Sequence, residues 1–123
     1  MSKRSLVCVV DDSESVRESL PDLLACVGFA VQAFASAEAF LASETVGGTS
    51  CLILDVGLPG MSGPELQQEL RRRGRDIPVV FITARRDVSL RWDPVEGVPT
   101  ACLFKPFSDT ALLEAVNAAI GSG

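Results

Sequence analysis

The chain has 123 residues, 47% of them hydrophobic and 22% charged, which is enough for one domain with a real core and too little for two. Its formal net charge of −5 repels nucleic-acid phosphates and anionic lipid, which argues against a direct nucleic-acid role. No apolar run approaches the ~20 residues of a membrane span, and Lys3-Arg4 leads an apolar run too short for a secretory signal, so a cytoplasmic protein is expected.

The first apolar strand, Leu6–Val10, runs straight into Asp11-Asp12. From a cap at Ser13, the residues Val16, Leu20, Leu23, Leu24 and Val27 recur at helical spacing, with Pro21 as a blemish and Gly28 as the stop. Ala30–Phe34 reads as a second strand, and Ser36 caps a short helix carrying Phe40 and Leu41 that fades into a loop over 46–50. Residues 51–54 form a third apolar strand that ends at Asp55. Pro64 suits the first turn of a helix over 65–73, with Leu66 and Leu70 on one face and Gly74 at its close. Residues 79–82 are apolar and continuous, as in a strand buried on both faces, and end at Thr83.

The next slot, 84–100, is poor in helix signal. Pro94 and Gly97 oppose a long helix, so the fourth helix is expected to be short or disrupted, one or two turns near 87–92. Residues 101–104 make the fifth strand and run into Lys105. A last helix over 109–120, capped by Ser108 or Asp109, turns Leu112, Leu113, Val116 and Ile120 inward; 121–123 read as a frayed end or the start of a linker.

Strands alternating with helices predict an α/β fold, a doubly wound (βα)5 sandwich formed by residues 1–123 as a single unit. The order 2-1-3-4-5 is taken over from flavodoxin-like proteins. In such a sheet the carboxyl ends of the strands share one rim, so Asp11, Asp12, Asp55, Thr83 and Lys105 meet there. Three carboxylates, a hydroxyl and an ammonium make a phosphoryl site. The chain has no histidine, so a Ser-His or Cys-His nucleophile is excluded and any phosphohistidine belongs to a partner. Cys8, Cys26, Cys51 and Cys102 lack the spacing of a zinc site and read as buried reduced thiols.

Four blocks occur in order: Val9-Val10-Asp11-Asp12, then Asp55-Val56-Gly57-Leu58-Pro59-Gly60-Met61-Ser62-Gly63, then Ile82-Thr83-Ala84, then Lys105-Pro106-Phe107. Through them the sequence resembles, over nearly its whole length, the receiver domain of two-component response regulators. Gly28-Phe29-Ala30-Val31 and Ser36-Ala37-Glu38-Ala39-Phe40-Leu41 are most similar to the FixJ-type branch.

The resemblance implies that Asp55 accepts a phosphoryl group from a histidine kinase or phosphotransfer protein. It implies Mg²⁺, or Mn²⁺ in its place, on the Asp12 and Asp55 carboxylates and the Gly57 carbonyl oxygen, with Asp11 acting through a water. Lys105 then pairs with phosphoryl oxygens and Thr83 donates its hydroxyl to another. Such a protein is a switch that promotes its own phosphotransfer and dephosphorylation, rather than an enzyme acting on a substrate pool. Its output goes to an effector domain or a downstream protein, with a phosphorylation-dependent dimer as one form.

Singly, these residues have plainer readings. Asp11 and Asp12 suit a helix start, Asp55, Pro59, Gly60 and Gly63 suit turns, and Lys105 suits a solvated charge. Arg71-Arg72-Arg73-Gly74-Arg75 reads as a solvated helix end, with partner binding as the minority reading. The sequence departs from the family at Cys102, where receivers commonly carry a switch aromatic; Phe104 lies on the same strand face. It departs again around Pro94, Gly97 and Val98-Pro99-Thr100, where the family builds its output surface. Trp92 reads there as a partner contact or a core residue, and Arg85 as a charge over the site mouth or a solvated one. These departures sustain an alternative, an atypical receiver serving as a phosphorylation-independent interaction module. Flavodoxin-like cofactor binding is disfavoured, because acids stand where a phosphate-cradling loop would be.

Overall fold

The computed structural model describes residues 5–83 and 100–121; the expected short fourth helix, with Arg85, Trp92, Pro94 and Gly97, lies outside the described residues. The elements are β1 (Leu6–Val10), α1 (Glu14–Cys26), β2 (Ala30–Phe34), α2 (Ala37–Leu41), β3 (Thr49–Asp55), α3 (Gly63–Arg72), β4 (Val79–Thr83), β5 (Thr100–Phe104) and α4 (Asp109–Gly121). All strand pairs are parallel and the sheet order is β2-β1-β3-β4-β5, the order taken over above from flavodoxin-like proteins.

Strand alternation divides the core in two. Cys8, Val10, Leu52, Leu54, Val79 and Phe81 face α2 and α3 and pack with Ala37, Phe40, Leu66 and Leu70. Val7, Val9, Cys51, Ile53, Val80 and Ile82 face α1 and α4 and meet Leu20, Leu24, Leu112 and Val116. Buried on both faces, the middles of β1, β3 and β4 are continuous apolar runs, and so they lack a period-two pattern. The register aligns Val10 with Leu54, Asp55 with Ile82 and Thr83 with Phe104, which brings the chain's polar strand ends to one rim.

Several boundaries differ from the sequence expectation. β3 begins at Thr49 rather than 51, because Thr49 pairs with Leu6 ahead of a register shift between Leu6 and Val7. The start of the expected 46–50 loop is a 3₁₀ turn, Val46–Gly48, directly ahead of β3. α3 begins at Gly63 rather than 65, fixed by a capping box in which the Ser62 hydroxyl accepts from the Glu65 N–H and the Glu65 carboxylate accepts from the Ser62 N–H. Ser13 occupies the cap position of α1, yet its hydroxyl makes no cap bond; Asp11 Oδ1 accepts its N–H instead, at 2.8 Å.

α1 continues through Pro21 because Leu20 and Leu24, either side of it, are buried in the core. Gly28 and Gly74, the two predicted stops, have φ of 99° and 77°. At the last helix it is Ser108 whose hydroxyl accepts from the Ala111 N–H, 3.0 Å away. The cysteines are all free, but only Cys8 and Cys51 are fully buried; Cys26 is exposed, contrary to its apolar reading, because it lies on the solvent side of the last turn of α1. Burial pushes the Cys51 thiol up to about 12 and keeps it protonated. No helix of the described residues is long and apolar enough to cross a membrane.

Candidate functional site

At the carboxyl rim, β1 delivers Asp11 and Asp12, and β3 delivers Asp55. Carboxylate oxygens of the three lie within 4.8 Å of one another. Asp11 is 0% exposed and Asp55 8% exposed, whereas Asp12 faces solvent. Lys105, immediately after β5, places its Nζ 3.0 Å from Asp11 Oδ2 and 3.8 Å from Asp55 Oδ2. Its position is set by its own backbone, since the Lys105 N–H donates to the Thr83 carbonyl at 2.7 Å. Asp55 Oδ1 accepts from the Gly57 N–H at 3.1 Å. Thr83 is buried, one residue beyond Ile82, the register partner of Asp55.

Three carboxylates against one ammonium leave the cluster with an excess of two negative charges. Burial, first, and then the charges of Asp11 and Asp12 push the Asp55 carboxyl above its ordinary range, while the Gly57 N–H and Lys105 pull the other way. Protonation of Asp55 is therefore easier in the fold than in the open chain. Its contribution to stability is fully present below the ordinary value of 3.8 and is lost as pH rises through the raised one. Relative to Asp55→Asn, the metal-free wild type should gain stability between about pH 7 and about pH 4. Urea midpoints of the two proteins across that range check this, and a wild type that loses ground on acidification refutes it.

Hard oxygen donors of net negative charge suit a small divalent cation. An octahedral ion with bonds of 2.0–2.1 Å spans roughly 4.2 Å between opposite ligands, close to the spread of these oxygens. The donor set fits. Asp12 has no hydrogen bond or ion pair among the described residues, whereas both Asp11 oxygens are engaged, by the Ser13 N–H and by Lys105. Direct ligation is thus easier for Asp12 than for Asp11.

Residues 7–117 match the response regulator receiver domain. The chain belongs to that family. It is 45% identical over 118 residues to nodulation protein W of Bradyrhizobium diazoefficiens, covering 96% of this chain and 52% of that protein. It is 41% identical over 115 residues to the transcriptional regulatory protein FixJ of Azorhizobium caulinodans, covering 94% of this chain and 54% of that one. The crystal structure of FixJ-N superposes with a TM-score of 0.83 at 36% identity, covering 98% of this chain and 96% of that one. This is a FixJ-type receiver, and the chain spans about half the length of the curated relatives it matches.

The receiver brings Asp11, Asp12, Asp55 and Lys105 into one cluster, with Gly57 tied to it through Asp55 and Thr83 placed on the adjoining strand end. Two further residues reach the loops of the site without having been anticipated. Arg17 of α1 donates to the Asp11 carbonyl at 2.9 Å, and Glu38 of α2 accepts from the Met61 N–H at 3.2 Å. Nothing in the sequence pointed to these contacts, although Glu38 belongs to the block that resembles the FixJ-type branch. At the departure noted in β5, Cys102 packs half-buried against the cluster that holds Phe81, and Phe104 is 41% exposed.

Proposed function

We propose that residues 1–123 form one receiver unit that takes a phosphoryl group onto Asp55 from the phosphohistidine of a histidine kinase or phosphotransfer protein. The observation that carries this reading is the meeting of three carboxylates from two strands with a single lysine at the carboxyl rim of the sheet. An Asp55 carboxylate oxygen attacks phosphorus, the P–N bond to the partner's imidazole breaks, and the imidazole leaves with that electron pair. Lys105, already between Asp11 and Asp55, meets the phosphoryl oxygens with its ammonium, and Thr83 offers its hydroxyl from the next strand. Mg²⁺, or Mn²⁺, held by the Asp12 and Asp55 carboxylates and the Gly57 carbonyl oxygen, with Asp11 through a water, would offset the charge that an incoming phosphoryl group adds to an already anionic site. The chain's own part is positioning and electrostatics.

The unit is a switch rather than a classical enzyme, working in the cytoplasm and passing its state to an effector domain or downstream protein. Its relatives of twice the length include transcriptional regulators, which supports a transcriptional output, with dimerisation on phosphorylation as one form. Cys102 in place of an aromatic, with Phe104 turned outward, favours a second reading, a phosphorylation-independent interaction module.

Intact mass after incubation with acetyl phosphate separates the two. A Mg²⁺-dependent gain of one phosphoryl group, absent in Asp55→Asn, is the expected result. An unchanged wild-type mass, even with a cognate kinase, makes the second reading the better one.

A further inference from the structure

We propose that Glu38 is a positioning residue for the phosphoacceptor loop: its carboxylate, anchored on α2, holds residues 57–62 so that the Gly57 carbonyl and Asp55 keep their places. The proposal rests on the Asp55 reading above and extends it to a helix that contributes nothing to the acidic cluster itself.

The base of Glu38 is fixed. The Ser36 hydroxyl accepts from the Ala39 N–H at 3.1 Å, Ala37 and Phe40 are fully buried, and the Phe40 ring meets Phe34 edge-on at 5.5 Å. From there Glu38 reaches a segment more than twenty residues away in sequence, where Oε2 accepts from the Met61 N–H at 3.2 Å. Gly60 makes room for it. Its φ of 74° disfavours any other residue, and a Cβ at that position would stand 2.8 Å from Glu38 Oε2.

The loop's other ties are to its own neighbourhood. Gly57 donates to Asp55 Oδ1, Gly63 donates to the Val56 carbonyl at 3.3 Å, and Ser62 is engaged with Glu65. Beneath, Leu58 is buried and Met61 half-buried against the cluster that contains Phe40. Among the described residues, the Glu38 contact is the one hydrogen bond that ties residues 57–62 to an element outside β3 and α3. Apolar contact alone tolerates sliding; a directed acceptor fixes the loop's height over the rim.

The test compares wild type, Glu38→Ala and Glu38→Gln in Mn²⁺ titration by calorimetry, in amide exchange at Met61 and in phosphoryl uptake from acetyl phosphate. The glutamine keeps an oxygen acceptor in place. Glu38→Ala should bind Mn²⁺ about tenfold more weakly, lose protection at Met61 and slow uptake, with the urea midpoint nearly unchanged, while Glu38→Gln stays near wild type in every readout. Unchanged Mn²⁺ affinity and Met61 protection in Glu38→Ala overturn the proposal, as does a Glu38→Gln that is equally impaired. If Glu38→Ala fails to fold, wild-type-like Met61 protection in Glu38→Gln supports the proposal and lost protection overturns it. A wild type that binds Mn²⁺ and takes up no phosphoryl group counts against the Asp55 reading, while the Mn²⁺ and exchange data still decide Glu38.

Discussion

Lys105→Met should lose about 2 kcal/mol of stability and slow phosphoryl uptake by about 10²-fold. An exposed ion pair contributes only ~0–1 kcal/mol, whereas stripping the partner from a buried charge costs about 3–5 kcal/mol. The Asp11–Lys105 pair lies between these limits. Asp11 is 0% exposed, but the lysine side chain is 23% exposed, and Asp11 keeps the Ser13 N–H as a second partner. Methionine preserves most of the lysine stem's volume, so the loss reports charge rather than packing. On the function proposed above, the kinetic loss follows from the 3.8 Å separation of Nζ and Asp55 Oδ2, which puts the ammonium beside the oxygen that would carry the phosphoryl group. Urea unfolding at neutral pH and time-resolved intact mass measure the two effects. A variant with wild-type stability and uptake would reduce Lys105 to a solvated charge.

Much of this site was legible because the fold turns a one-dimensional signal into a spatial one. β1, β3 and β4 are buried on both faces, so each is a short unbroken apolar run, and the first polar residue after each run marks its end. Parallel topology then collects those ends at one rim, which is why Asp11, Asp55 and Thr83 could be grouped from positions dozens of residues apart, with Lys105 joining them from the end of β5. The start of α3 was also written in the chain, as Ser62 and Glu65 three apart before an apolar stripe, yet Pro64 drew the boundary later than the capping box places it.

Other features had no local signature. Thr49 joins β3 because it meets Leu6 across the sheet, and its hydroxyl bonds the Thr45 carbonyl; neither contact is visible in a loop-like Gly-Gly-Thr-Ser stretch. The Ser13 hydroxyl makes no cap bond, and the contact that holds the cap residue is instead its own N–H donated to Asp11 Oδ1, two residues earlier. Glu38 looks like any acid in a first helical turn, and its reach to Met61 is set wholly by tertiary placement. Gly63, likewise, reads as one more glycine in a turn.

That glycine should prove one of the least replaceable residues outside the acidic cluster. Gly63→Ala is expected to cost about 1–2 kcal/mol, although alanine at an unhindered helical position would gain up to about 1 kcal/mol over glycine. Its φ is not positive, so backbone conformation does not oppose the change. Contact does. A Cβ there would stand 2.7 Å from the Asp55 carbonyl oxygen, 3.2 Å from the Val56 Cα and 3.3 Å from the Asp55 carbonyl carbon. These are main-chain atoms, which cannot turn away as a side chain would.

The strand end is itself pinned, because the Val56 N–H donates to the Ile82 carbonyl at 2.9 Å. Either α3 lifts off the sheet, taking buried Leu66 and Leu70 with it, or the peptide that carries Asp55 shifts. Both routes should slow phosphoryl uptake along with the loss of stability. Gly48→Ala serves as the reference, since a Cβ there meets nothing within 4 Å, and it should leave the urea midpoint nearly unchanged. A Gly63→Ala variant as stable as wild type, with unaltered uptake, would mean that the α3 start has slack against β3 and that the strand end carrying Asp55 is not held by this contact.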